Sequence, residues 1–276
     1  LVSPSEIQIS PDIVLGRGGF GVVHQGVYHG ALVAVKLSLA DSIRGRLVDA
    51  QLANEMRVLR QVRHPYLVTF YGGIVDTEER RFGMVLEYVD GPTLKEFIVH
   101  ECGNEQTQYE IIAGLAGVLL FLHSREPCIV HGDLKSENVL VEKKATCVQP
   151  KLLDFGLARL LTRCPRPLGG TLVWMAPEAF RRDASLRPKP SADVFSCGRL
   201  IYFVVTRVEP LKGMGKKAIE RCLNEGRFPA LDWPKASALE DASKTTVEEC
   251  LKVPECLRPS TKELYEAIVA WPFDSS

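Results

Sequence analysis

The sequence lacks an excess of charge of either sign, because its 276 residues contain 34 lysines and arginines against 34 aspartates and glutamates. A balanced charge gives no electrostatic footprint for nucleic acid or for an anionic membrane surface. A long hydrophobic run is missing too. The longest, residues 111–122, is well short of the roughly 20 apolar residues that a membrane-spanning helix needs. We expect no nucleic-acid partner and no membrane span within this chain.

Targeting and metal-binding signals are equally scarce. No basic N-terminal region is followed by an apolar stretch, which argues against a signal peptide. The eight cysteines include no Cys-x-x-Cys pair, and with six scattered histidines they show no zinc-ligand spacing. Several, such as Cys197, stand in apolar contexts that are typical of reduced, buried thiols. We expect a cytoplasmic domain, or one on the cytosolic side of a membrane, and, because the chain begins at Leu1, a part of a longer protein.

The composition that is present, 46% hydrophobic and 25% charged, is that of an ordinary globular domain. Short β-branched runs between turn residues predict strands, most of them before residue 90. These strands are predicted at residues 13–15, 22–28, 32–37, 67–70, 82–88, 128–130 and 151–153. Helical spacing predicts one helix between Val48 and Val62. A nearly all-apolar run predicts a buried helix at 111–123, and residues 200–205 are a second buried segment. The sequence thus predicts the α+β class, with a small β-rich part before a larger, mainly helical part.

A Gly-x-Gly-x-x-Gly run comprises Gly16, Gly18 and Gly21, with a further glycine at Gly19. The same letters open the helix of a dinucleotide-binding fold. Here β-branched residues follow at 22–28 and no acidic ribose ligand follows a βαβ unit, which disfavours a nicotinamide-dependent dehydrogenase. A glycine loop between two strands lets backbone amides approach phosphates closely. The alternative is a glycine-rich hairpin with no phosphate-binding role, which would have the same sequence pattern.

A lysine and a glutamate form the second candidate element. Val48, Leu52, Glu55 and Leu59 recur at helical spacing, which places Glu55 on the apolar face of the predicted helix. A buried carboxylate is costly unless a cation pairs with it. Lys36, at the end of a predicted strand, is the candidate, and a lysine fixed by a glutamate can bind phosphate oxygens. The alternative is an exposed lysine at a strand end.

Two aspartates and an asparagine follow short predicted strands: Asp133, Asn138 and Asp154. Their oxygens are suitable ligands for a hard cation such as Mg²⁺, and a carboxylate there can accept a substrate proton. Either loop alone is also typical of a turn stabilised by Asp and Asn. Their order after Lys36 and Glu55 favours the catalytic interpretation.

Together, in order and spacing, these motifs resemble the signature set of eukaryotic protein kinases. The resemblance extends over nearly the whole chain. It implies one protein kinase domain over residues 1–276, in the two-lobed protein-kinase-like fold of the α+β class. The N-lobe, with its single helix, would cover about residues 1–88, the hinge about 87–91 and the mainly helical C-lobe about 91–276.

The resemblance also implies which residues bind ATP. Lys36, paired with Glu55, would bind the α and β phosphates. Leu86 would guard the back pocket. The glycine-rich loop, the adenine site and the hinge would comprise Leu15, Gly16, Gly18, Gly19, Gly21, Val23, Ala34, Glu87, Val89 and Leu140.

The catalytic residues follow from the same resemblance. Asp133 would be the catalytic base, and Lys135 would steady the transferring phosphate. Asn138 and Asp154 would hold Mg²⁺, and Thr171 would reach the catalytic loop. Two structural contacts are implied as well: an ion pair between Glu178 and Arg258, and an anchor for the catalytic loop at Asp193.

Lys135 and Thr171 are typical of serine/threonine kinases, and the wording of the motifs resembles the tyrosine-kinase-like group, which is mostly Ser/Thr-specific. We expect an enzyme that uses ATP and Mg²⁺ to phosphorylate Ser and Thr of protein substrates, with regulatory partners or flanking domains. The alternative is a pseudokinase that binds nucleotide or acts as a scaffold. A pseudokinase would lack at least one of four residues, all of which are present: Lys36, Asp133, Asn138 and Asp154.

One position departs from the family pattern. Gly132 stands where the family usually has an arginine between the catalytic-loop histidine and aspartate. That arginine often pairs with a phosphate on the activation loop. Thr162 is the candidate for such a phosphate, since Thr171 is assigned to the catalytic loop. The glycine predicts a loop that is competent without phosphate, under the control of flanking regions or a partner.

Overall fold

The computed structural model describes residues 1–18, 21–38, 52–76, 81–101, 104–155, 171–180, 189–234 and 237–272. The chain divides into two compact units. The first comprises Leu1–Asp90 and Leu153–Ala158, and the second comprises Gly91–Leu152 and Arg159–Ser276.

The first unit is built on a five-stranded sheet in the order β1-β2-β3-β5-β4, with every neighbouring pair antiparallel. Its strands are β1 (Ile7–Gly18), β2 (Gly21–Tyr28), β3 (Ala31–Leu37), β4 (Phe70–Asp76) and β5 (Arg81–Glu87). A 3-10 turn at Pro4–Glu6 precedes β1, and its first turn is capped by the side chain of Ser3. The predicted helix is present over residues 52–59 and is named α1.

Successive side chains of β3 lie on opposite faces of the sheet, which separates the core from the functional face. Val33 and Val35 are buried in one hydrophobic cluster with Val85 of β5. Burial of each such valine contributes ~1.5–3 kcal/mol to folding. The alternate residues, Ala34 and Lys36, lie on the opposite face.

Two strands of this unit begin at residues other than those predicted from the sequence. The strand predicted at 67–70 is instead β4, which begins at Phe70 and continues through Gly72 and Gly73. These glycines indicate a turn in the sequence, but a Cβ on Gly72 would lie 2.4 Å from Cγ2 of Val2, whose segment packs against the strand. β1 begins at Ile7 rather than at residue 13, since an edge strand accommodates the proline and the register shift that interrupt its pattern after Ser10.

The second unit is mainly helical, and within its described residues β6 (Val139–Lys143) pairs antiparallel with β7 (Val148–Leu152). Its helices are α2 (Leu94–His100), α3 (Glu105–His123), α4 (Pro177–Phe180), α5 (Pro190–Thr206), α6 (Lys216–Glu225), α7 (Ala238–Cys250) and α8 (Thr261–Val269). No helix in the described ranges is long and apolar enough to cross a membrane. The predicted α+β class, with a β-rich first unit and a helical second unit, is confirmed.

Helix α5 is the centre of the second unit, because every residue from 192 to 206 is buried. Burial raises the pKa of the Cys197 thiol on this helix to about 12, and it also raises the pKa of Cys250 on α7. Both cysteines are therefore uncharged packing residues at neutral pH. Cys147 and Cys256, in contrast, are exposed free thiols.

The strand predicted at 128–130 is wrong. These residues are irregular, apart from a single β-bridge residue at Val130, and they connect α3 to the loop that begins at His131. Ile129 and Val130 are buried, and the Ile129 amide donates to the Leu122 carbonyl of α3 at 3.1 Å. Their apolar pattern reflects burial against the end of α3 rather than sheet pairing.

Candidate active site

The first unit contains a buried ion pair between β3 and α1. Nζ of Lys36 lies 2.6 Å from Oε2 of Glu55, and the two residues are only 8% and 1% exposed. The pairing that the apolar face of the helix predicted is present. A second carboxylate, Asp154, has Oδ1 at 3.6 Å from the same Nζ.

Burial and charge act in opposite directions on this pair. Burial disfavours the ammonium of Lys36, but the carboxylates of Glu55 and Asp154 outweigh it, and the pKa of Lys36 is raised. Burial raises the pKa of Glu55 to about 7, although Lys36 opposes the shift. Lys36 is therefore a permanent cation at neutral pH, whereas Glu55 is poised to titrate.

Asp154 stands two residues after the end of β7, in a conformation that few side chains adopt. Its φ is +59°, in the left-handed region, where a residue other than glycine costs of order 1–3 kcal/mol. The next residue, Phe155, is fully buried, and its carbonyl accepts a hydrogen bond from Nδ2 of Asn54 on α1 at 3.4 Å. The segment that carries Asp154 is thus tied to the helix that carries Glu55.

The sheet register brings several predicted nucleotide-binding residues to one face. Val23 lies directly opposite Lys36 on β2 and β3, and Ala34 lies directly opposite Leu86 on β3 and β5. Residues opposite one another in antiparallel strands share a face. Four side chains therefore share the face away from the valine core: Val23, Ala34, Lys36 and Leu86.

The glycine-rich segment forms the β1–β2 hairpin, in which Gly18 pairs with Gly21. The predicted residues that the structure describes there are Leu15, Gly16 and Gly18 on β1 and Gly21 and Val23 on β2. Gly19 lies outside the described residues. Gly21 has φ +132°, and a Cβ there would lie 2.1 Å from the carbonyl oxygen of Leu37, so only glycine allows this approach of β2 to β3. The strand after the run excludes the helix of a dinucleotide-binding fold.

At the end of β5 the predicted hinge begins with Glu87. Its carboxylate accepts hydrogen bonds from the amide and the hydroxyl of Thr69, both at 2.9 Å, and its own amide donates to the Thr69 carbonyl. The side chain is therefore a structural clamp. Val89, two residues further on, is buried.

In the second unit, the predicted catalytic loop, residues 131–138, holds a buried carboxylate, Asp133, which is 4% exposed. Its Oδ2 accepts hydrogen bonds from Nζ of Lys135 at 2.7 Å and from Nδ2 of Asn138 at 3.2 Å. Its Oδ1 is buried and accepts no hydrogen bond from any residue in the described ranges. The loop thus fixes one carboxylate oxygen and leaves the other buried without a donor among the described residues.

Asp193, from the buried helix α5, holds the backbone of this loop. Its carboxylate accepts hydrogen bonds from the amides of His131 at 2.7 Å and Gly132 at 2.9 Å, and from Nε2 of His123 at 3.0 Å. Burial opposes its charge, but these donors outweigh burial, and the pKa of Asp193 lies below its ordinary value. The predicted anchoring contact is present.

A family model described as a protein kinase domain matches residues 10–269. The chain belongs to this family. It is 33% identical over 204 residues to the serine/threonine-protein kinase CTR1 of Arabidopsis thaliana, which covers 71% of this chain and 24% of that protein. It is 32% identical over 266 residues to the probable serine/threonine-protein kinase drkD of Dictyostelium discoideum, which covers 94% of this chain and 19% of that protein.

A third relative is the cysteine-rich receptor-like protein kinase 28 of Arabidopsis thaliana, which is 34% identical over 211 residues. That match covers 71% of this chain and 29% of the relative. The matches thus span between about a fifth and three tenths of the length of these curated relatives.

The predicted ion pair between Glu178 and Arg258 is also present. Both terminal nitrogens of Arg258 donate to the carboxylate of Glu178, at 2.5 and 2.9 Å. Arg258 is buried, and it also donates to the Ser191 carbonyl. Two-point pairing of this kind fixes orientation as well as adding energy.

Three further residues were singled out from the sequence: Leu140, Thr171 and Thr162. Leu140 lies on β6, opposite Lys151 of β7, and makes an isolated bridge to Thr93. Thr171 begins a 3-10 turn at Thr171–Val173, and its predicted contact with the catalytic loop is outside what the structure describes. Thr162 lies outside the described residues.

One contributor to the kinase site was missed from the sequence: His123, in the last turn of α3. Its ring links Oδ2 of Asp193 to the hydroxyl of Thr261, at the start of α8. The available signal was a polar, titratable residue at the end of an otherwise buried helix. That signal did not identify its partners, which are 70 and 138 residues further along the chain.

Proposed function

We propose that this domain transfers the γ-phosphoryl group of ATP to serine and threonine hydroxyls of proteins, with Asp133 as the catalytic base. The observation that carries the proposal is the asymmetry of the Asp133 carboxylate. One oxygen is fixed by Lys135 and Asn138, and the other is buried and unpaired within the described ranges. A buried acceptor without a donor is costly, and a substrate hydroxyl is the donor that would satisfy it.

In the proposed reaction Asp133 orients the attacking hydroxyl and accepts its proton as the phosphoryl group passes in line. Lys135, whose Nζ already contacts Asp133, places a positive charge beside the point where the transferring group would sit. Most of the rate would come from this positioning and from neutralisation of charge rather than from covalent chemistry.

Lys36 would bind the phosphates of ATP from the sheet of the first unit. Its ion pair with Glu55 fixes the direction of Nζ, and burial strengthens its interaction with an anion. The sheet face that it shares with Val23 and Ala34 is the apolar surface proposed for adenine.

We propose Asn138 and Asp154 as the Mg²⁺ ligands, because each residue carries an oxygen of the kind that this ion prefers. Asn138 uses Nδ2 for its contacts with Asp133, so its amide oxygen is the atom that it can offer to a cation, and Asp154 offers a carboxylate. One or two protein oxygens, completed by water and phosphate oxygens, are the usual shell of this ion. When bound, Mg²⁺ supplies charge neutralisation on the phosphates.

Serine/threonine specificity is supported by Lys135 and by the relatives named as serine/threonine-protein kinases. The pseudokinase alternative is disfavoured by the unpaired oxygen of Asp133, since a scaffold has no need of it. Protein substrates, regulatory partners and a cytosolic location remain part of this proposal.

The test is the identity of the product. The chain is incubated with γ-labelled ATP, Mg²⁺ and casein, and the labelled amino acids are separated after acid hydrolysis. We expect phosphoserine or phosphothreonine from the wild type and none from Asp133→Asn. Asp232→Asn, at an exposed loop position, is the matched control and should retain the label. Phosphotyrosine would contradict the specificity, and a wild type that binds ATP without transfer would support the pseudokinase.

A further inference from the structure

The second unit contains a buried arginine that no carboxylate in the described ranges neutralises. Arg199 of α5 is 2% exposed. Its guanidinium carbon lies 4.5 Å from the ring centroid of Phe195 and 4.6 Å from that of Phe228. Its Nη1 donates to the backbone carbonyls of Val173 and Met175. Five N–H groups are available on a guanidinium, and these two acceptors use only one nitrogen.

A nearby arginine, Arg258, has the carboxylate partner that Arg199 lacks among the described residues. Arg258 lies 4.8 Å from the same Phe195 ring, but Glu178 neutralises it through two hydrogen bonds. Burial lowers the pKa of Arg199 to about 9, with Cys222 opposing the shift and Arg258 adding to it. Arg199 is therefore still a cation at neutral pH. A buried cation is costly without an anion to pair with it.

The arginine lines a cavity of about 270 Å³. The cavity lies at the junction of α5, the segment after α5 and the ends of α6 and α7, and nine of its ten lining residues are apolar. Phe195, Phe228, Leu211 and Leu251 are among them. This volume is several times the ~30 Å³ that one water occupies in the liquid. It is close to the lower limit of ~300 Å³ for pockets that bind small molecules.

We propose that this cavity binds a small organic acid, with its carboxylate on Arg199 and an apolar body against the surrounding side chains. The single cation suits one carboxylate. A phosphate would need several charged donors, and Arg199 is the one charged residue among the ten that line the cavity. Arg199 also donates hydrogen bonds to the carbonyls of Val173 and Met175, and so holds the chain just before Glu178. A bound acid would contact this same arginine.

The test compares an acid with its neutral analogue on the unmodified chain. Phenylacetate and phenylacetamide are titrated separately and followed by calorimetry. We expect saturable 1:1 binding of phenylacetate, and binding of the amide that is weaker by at least about tenfold, the effect of losing one charge-assisted hydrogen bond. This comparison needs no variant. Equal binding of the two compounds, or no saturable binding of the acid at millimolar concentration, overturns the proposal.

Variants then locate the site. Arg199→Met should abolish the preference for the acid, and Arg221→Met, at an exposed position on α6, should leave it unchanged. If Arg199→Met does not fold, Leu231→Trp replaces it, since it fills the cavity without touching the charge. Undiminished acid binding in the folded variants contradicts the assignment.

Discussion

The amide of Gly132 donates a hydrogen bond to Oδ1 of Asp193 at 2.9 Å, and Gly132 makes it with a φ of +77°. The amide of His131 donates to the other oxygen of the same carboxylate. The backbone of Gly132 then turns through the left-handed region, which glycine enters without strain. Gly132, which directly precedes the proposed base, therefore has a structural role in this backbone turn. A second consequence is that no arginine stands at this position to bind a phosphate.

Replacement of Gly132 by alanine should lower the free energy of unfolding by about 1–2 kcal/mol, the cost of a Cβ in the left-handed region. Urea denaturation measures this directly. Gly215→Ala is the control, because Gly215 has φ −72° and open space around its Cβ position. Equal stability of the two variants would mean that the φ of Gly132 is not required.

Asp193→Asn should be more costly. The variant keeps the shape of the side chain but removes the charge that the His131, Gly132 and His123 donors bind, and we expect a loss of about 3 kcal/mol or more. Since the pKa of Asp193 is depressed below 3.8, its contribution is present above that pH and is lost as the pH falls. The stability difference between wild type and variant should thus shrink in acid. A difference that stays constant from neutral pH to acid contradicts the assignment.

The raised pKa of Glu55 predicts two pH effects of opposite sign. As the pH falls through about 7, Glu55 gains a proton and its ion pair with Lys36 is lost, so kcat/KM for ATP should decrease. Between pH 4.5 and about 7 the folded chain binds more protons than the unfolded chain, so the free energy of unfolding should fall as the pH rises.

Glu55→Gln separates these effects from other titrations. It should lower kcat/KM at neutral pH and remove the step near pH 7 from the rate profile. Glu248→Gln, at an exposed position on α7, should keep the step. Persistence of the step in Glu55→Gln would assign it to another group.

Activation without phosphate follows from Gly132. Thr162→Ala and phosphatase-treated wild type should both keep initial rates within about twofold of the untreated chain at saturating ATP, since glycine offers no cation to tie a phosphate to the catalytic loop. A large loss of activity in both samples would show that the activation loop depends on phosphate.

The Lys36–Glu55 contact could be predicted from the sequence, because a carboxylate on an apolar helix face requires a cation and one lysine ended the neighbouring strand. Burial alone misled the prediction at residues 128–130, since an apolar run does not distinguish a strand from an irregular buried segment. The predicted bounds of β4 were wrong because two adjacent glycines, Gly72 and Gly73, are typical of a turn. In the structure, the close packing of Val2 against the strand leaves no room for a side chain at position 72. His123 and Arg199 could not be assigned, because their partners are set by tertiary packing.

The central claim is that the unpaired oxygen of Asp133 acts in the chemical step and not in nucleotide binding. The most direct measurement is single-turnover phosphoryl transfer by wild type and Asp133→Asn, with the affinity for ATP determined on the same samples. The account predicts unchanged ATP affinity and a transfer rate that falls by about 10²–10⁴-fold, the usual contribution of a general base. Transfer at the wild-type rate in a folded Asp133→Asn chain would contradict it.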